Sequence, residues 1–171
     1  MTAVAASATY TPRRLLLLAA VALAAGAGAV LISQRFGHAP DWGLLARQGW
    51  VLKLHIAAAL TALALGTIQL IGVKGTAAHR LIGWSWVAAM ATVAISSFFI
   101  RTINPGSFSL IHLLSGWTLI ALPMGIWHVR SGRARAHGRT MGALFVGGLI
   151  IAGAFTFLPG RLMWAVFFGQ A

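Results

Sequence analysis

Five apolar runs follow one another along the chain: Leu15–Ile32, Leu54–Val73, Leu81–Ile100, Ser109–Val129 and Met141–Leu158. None is interrupted by Lys, Arg, Asp or Glu. Each approaches the roughly 20 helical residues that cross a hydrocarbon core about 30 Å thick. The runs are continuous rather than alternating, unlike the strands of a membrane β-barrel. In lipid a helix satisfies every backbone polar group within its own segment, so helices are the expected form. The pattern predicts an all-α membrane protein with five transmembrane helices. Helices two to five are expected to form a four-helix bundle, with short connections making consecutive helices antiparallel neighbours. Pro123, inside the fourth run, predicts a kink.

The same pattern divides the chain into an N-terminal anchor helix (1–33), an outer loop (34–50) and a four-helix domain (51–171). That domain ends in a tail, Gly160–Ala171, whose Trp164, Phe167 and Phe168 predict an interfacial segment. The first run follows Arg13 and Arg14 in the manner of a signal peptide. Its 18 residues exceed the usual 7–15 of a signal core, so a retained anchor is expected.

Composition narrows the chemistry. Of 171 residues, 59% are hydrophobic and 8% charged, against about 25% charged in a soluble domain. There is no cysteine, which removes disulfides, iron–sulfur clusters and thiolate nucleophiles. Asp41 is the only acidic residue, which removes paired-carboxylate catalysis and a Ser/His/Asp triad. Chemistry is left to six histidines and a borrowed cofactor. The net charge of +12 comes from Lys and Arg scattered between apolar runs, with no basic stripe or stacking platform for nucleic acid. Eight lie on one side (Arg13, Arg14, Lys74, Arg80 and the Arg130–Arg139 segment), and five on the other (Arg35, Arg47, Lys53, Arg101, Arg161). By the positive-inside rule the N-terminus is cytoplasmic.

The chain also resembles itself. LHIAAALTALALGTIQLIGVKGTAAHRLIG begins at Leu54 and IHLLSGWTLIALPMGIWHVRSGRARAHGRTMG at Ile111. Each opens with an apolar residue and His (His55, His112) and reaches a glycine after twenty more (Gly75, Gly132). Each then gives His (His79, His137), Arg (Arg80, Arg139) and a further Gly (Gly83, Gly142). Two copies of one helical hairpin are expected. Helices two and four run in the same direction, so His55 and His112 share the outer end. His79 and His137, preceding the third and fifth runs, share the inner mouth. Two imidazoles facing each other from different helices are what a b-type haem requires. Small residues beside them, Ala59, Ala62, Gly66, Gly83 and Gly116, would admit a flat macrocycle. Arg80 and Arg139 are placed to hold its propionates. The same small residues also suit plain helix packing. His128 is an alternative inner ligand, and Met90 and Met124 are expected to be core residues.

From Val51 to about Phe168 the chain resembles the bacterial predicted-membrane-protein family catalogued as domain of unknown function 2306. The motifs are LHIAAAL, AAHRLIGW, FSLIHLLSGW, AHGRTM and FTFLPGR. More distantly, histidines on four successive helices are similar to the transmembrane di-haem cytochrome b superfamily. That resemblance implies an outer haem b on His55 and His112 and an inner one on His79 and His137. One haem, at the outer pair, is the smaller variant. It further implies a multi-pass protein of the bacterial inner membrane passing electrons between an unknown donor and acceptor. Quinol, a periplasmic carrier and metal chelates all suit that role. A homo-oligomer is compatible with the lipid-facing surface. The alternative is a haem-free helical membrane protein, a carrier or assembly subunit, whose His-Arg motifs fix helix register.

Overall fold

A computed structural model describes residues 39–100 and 110–169. The first apolar run, the anchor 1–33, His38 and Arg101 lie outside the described residues. All regular structure among the described residues is helical: α1 (Trp42–Ala46), α2 (Trp50–Ile71), α3 (Ala77–Ser97), α4 (Leu110–Arg130), α5 (Ala134–Phe155) and α6 (Leu162–Phe168).

α2, α3 and α5 begin earlier than their apolar runs, and capping and turn chemistry set the starts of α3 and α5. Thr76 caps α3, its Oγ1 accepting the His79 N–H at 3.0 Å. The α4–α5 turn is a Schellman closure: Arg133 N–H donates to His128 O at 2.8 Å and Gly132 N–H to Val129 O at 3.2 Å. Gly132 has φ +73° and Gly75, in the α2–α3 turn, φ +79°. Both turns thus use the left-handed conformation that glycine adopts without strain. Consequently His79 and His137 do not precede their helices, as the apolar runs implied. They lie within the first turns of α3 and α5.

α4 continues unbroken through Pro123. The missing proline N–H leaves the Leu119 carbonyl without its usual helical donor. α5 has a π-helical stretch, Val146–Ile151, that includes Gly147 and Gly148. Such stretches locally rotate the faces that a helix presents.

Contacts between neighbours run in opposite senses along the chain. Along α2 and α3, His55 meets Ser96, and the Gln69 side chain reaches the His79 carbonyl. Along α3 and α4, Ser97 meets Ser115, and the Phe98 ring lies against His112. Along α4 and α5, Gly125 meets Met141, and His128 faces Thr140. At mid-bundle Ala62, Trp86, Met90, Ala121, Leu122, Leu144, Phe145 and Leu149 form the core, with Met124 packed against it.

The exterior is apolar. Leu60, Leu81, Leu113 and Ile120 are 61–71% exposed, whereas Ser96, Ser97, His112, Ser115 and Thr118 are buried. Large apolar side chains outward, with these polar side chains inward, suit a lipid solvent, where packing and interhelical hydrogen bonds hold helices together. α2 and α5 are each long and apolar enough to cross a membrane. At the end where α2 begins, α1 docks on α6: Asp41 N–H donates to Val166 O at 2.8 Å, and Trp42 meets Phe167 edge-on.

Candidate functional site

His55 stands on the second turn of α2, half-buried, with Nδ1 2.9 Å from Ser96 Oγ on α3. The Ser96 hydroxyl has one proton, and the Thr92 carbonyl lies 2.6 Å away to accept it. Ser96 Oγ is then the acceptor for His55 Nδ1–H, which leaves the imidazole lone pair on Nε2.

Ser97, the next residue, donates to Ser115 Oγ on α4, and Ser115 donates to the Ile111 carbonyl at 2.9 Å. His112 lies one turn before Ser115 and is buried, with Phe98 against its ring. His55 and His112 therefore share one end of the bundle, where α3 hydroxyls reach His55 and Ser115. Ser96, Ser97 and Ser115 carried no distinctive signal in the sequence. A serine in an apolar helix commonly bonds to its own backbone, and only its partner across the interface distinguishes it.

His137, on the first turns of α5, has Nδ1 2.9 Å from the Gly125 carbonyl of α4. A carbonyl only accepts, so Nδ1 carries the proton and a neutral ring keeps its lone pair on Nε2. His79, on α3, has a buried Nδ1 with no hydrogen-bond partner. It lies outside the apolar run, in the first turn of α3. Desolvation foremost, then Lys74, His137 and Arg80, lowers its pKa below the ordinary histidine value. His79 and His137, at the starts of α3 and α5, thus share the opposite end.

The residues expected around them divide. Gly66 is closed: a Cβ there would sit 2.4 Å from the Phe145 ring and 2.7 Å from Trp86 Nε1. Ala62 is wholly buried in the same core. Gly83 is approached by Gln69, whereas Gly116 faces open space. The small face of α2 above His55 is therefore occupied by aromatic rings at mid-bundle. Gly66 is three turns from His55, about 16 Å at about 1.5 Å per residue.

Arg80 folds back to donate to the Gly75 carbonyl at 3.0 Å. Arg139 is exposed and lines a groove with His128, Arg133 and Arg135. Among the described residues no group of three or more His, Cys, Asp or Glu is placed to hold a metal ion.

An apolar exterior, buried hydroxyls and paired histidines at the two ends define a helical membrane protein. A family described as predicted membrane protein, domain of unknown function 2306, matches residues 52–170, and the chain belongs to it. No curated protein and no solved structure matches this chain.

Proposed function

We propose that this membrane protein carries electrons through b-type haem, which His55 and His112 would hold at the outer end and His79 and His137 at the inner end. The observation that carries this is the His137–Gly125 hydrogen bond at 2.9 Å. Metal-ligating histidines characteristically donate one ring N–H to a fixed oxygen, which sets the tautomer, orients the ring and raises the basicity of the other nitrogen. His55 makes the corresponding bond to Ser96.

A bound haem would supply a one-electron iron couple. The chain's own residues do the rest. Ser96 and the Gly125 carbonyl hold Nδ1–H, directing each Nε2 away from its supporting helix. Burial and neighbouring cations favour neutral His79, the form able to ligate. Trp86, Met90 and Phe145 fill the space between the two levels and exclude water.

In this account α2–α3 and α4–α5 are duplicated hairpins, related by the turn glycines Gly75 and Gly132. The first apolar run adds a fifth span, the N-terminus lies in the cytoplasm and the protein sits in the bacterial inner membrane. Quinol is a compatible donor. The outer pair alone would give one haem, and Arg80 and Arg139 are the candidate propionate partners.

A haem-free carrier or assembly subunit is the second reading. It is favoured by the Phe145 and Trp86 rings closing Gly66, and by the use of Arg80 to tie the α2–α3 turn.

The deciding experiment is the haem-to-protein ratio of the purified chain and of its H55A, H112A, H79A and H137A variants. Loss of haem in a pair of variants from one end assigns that end. Unchanged haem in all four contradicts the ligand assignment, and a haem-free folded chain contradicts the cytochrome.

A further inference from the structure

The inner turn between α4 and α5 carries a groove of about 710 Å³ lined by His128, Arg133, Arg135, Arg139 and Thr140, with Gly132 at its rim. Arg133, Arg135 and Arg139 are all exposed. The Arg133 guanidinium lies 4.6 Å over the ring of Trp127, itself 52% exposed. Among the described residues no carboxylate side chain neutralises the three arginines. Asp41 is the only acidic residue, and it sits against α6 near the outer end of the bundle. An exposed indole on an apolar helix end marks the level of the lipid headgroups. A guanidinium stacked on it is held at the depth of the phosphates.

We propose that this groove binds the phosphate headgroup of an anionic phospholipid from the leaflet at the α4–α5 turn. Arginine suits such a partner because its planar fork engages two phosphate oxygens at once. Basic pockets between helices at the cytoplasmic face recognise anionic headgroups by the same chemistry. The acyl chains would run along the outward face of α4, past Trp127 and Ile120, both more than half exposed. This assignment gives Arg133 and Arg135 a counter-ion without drawing on any cofactor, and leaves Arg139 to the propionate role proposed above.

Native mass spectrometry of the full-length chain in detergent tests it, titrating phosphatidylglycerol against phosphatidylcholine. Each arginine near an anionic surface contributes a preference of about fivefold. Wild-type protein is expected to favour phosphatidylglycerol by well over tenfold, and the R133Q/R135Q double variant to lose most of that. The R133K/R135K pair keeps the charge and is expected to retain part of the preference. It serves as the test if the glutamine pair does not fold. R47Q, far from the groove, is expected to behave as wild type. Equal affinity for the two lipids in the wild-type chain would overturn the proposal. So would undiminished preference in the folded double variant, or in the lysine pair an affinity equal to that of R47Q with no preference lost. Displacement of the lipid by millimolar inorganic phosphate would also overturn it, showing a free-phosphate site.

Discussion

His137 Nδ1 lies 2.9 Å from the carbonyl oxygen of Gly125 on the preceding helix. Because the carbonyl has no proton to give, this contact fixes the neutral His137 tautomer, and Nε2 is the nitrogen left for a ligand. His55 reaches the same state through Ser96, whose own proton is committed to the Thr92 carbonyl at 2.6 Å. The prediction closest to the chemistry concerns the Ser96 support.

Ser96→Ala removes the acceptor of His55 Nδ1–H while leaving both proposed outer ligands in place. Loss of such a support typically weakens metal affinity by about 10–100-fold. Haem titration of the variant is expected to show that weakening, with a shifted midpoint potential, and S96T should restore both. A variant that binds haem as wild type does, with an unchanged spectrum, would show that Ser96 serves only helix packing.

Gly66→Ala tests the mid-bundle core. The added methyl would sit 2.4 Å from the Phe145 ring and 2.7 Å from Trp86 Nε1, and neither ring system is a flexible chain end. Overpacking of this kind costs about 1–3 kcal/mol. The melting midpoint in detergent should fall, and F145L in the same chain should recover part of the loss. Wild-type stability in G66A would mean the three helices are not packed this closely.

His79 gives a pH dependence with a defined sign. Its pKa is lowered in the folded chain, by desolvation first and then by Lys74, His137 and Arg80. Above the unfolded value of about 6.5 both states are neutral, and its contribution to stability is fully present. As pH falls below that value the unfolded chain takes the proton first, so stability declines until the folded pKa is passed. In protein prepared without haem, melting between pH 8 and 5 should show this decline, reduced in H79Q. An identical pH profile in H79Q would assign the decline to another group.

Much of this architecture was legible in the sequence because apolar runs and helices share a cause. Runs two to five each correspond to one of the long helices α2 to α5. Boundaries were less legible. The Thr76 cap and the Schellman turn at Gly132 start α3 and α5 within polar segments that hydropathy alone leaves as loops, which moves His79 and His137 into helices. The sharing of ends by His55 with His112, and by His79 with His137, followed from helix direction. The surroundings did not follow. The Ala62–Gly66 face reads equally as a cofactor slot or a packing groove, and only the position of Phe145 distinguishes them there. Ser96, Ser97 and Ser115 acquire meaning from partners on other helices, which no local pattern encodes. The π-helical stretch in α5 likewise had only Gly147–Gly148 as a trace.

The central claim is that paired imidazoles at the bundle ends hold haem. A dithionite-reduced minus air-oxidised visible spectrum of the purified chain, from cells supplied with ample haem, tests it most directly. The account predicts a sharp b-type α-band with one or two haems per chain, diminished in H137A and in H55A. A colourless protein, shown by circular dichroism to be helical and folded, would contradict it.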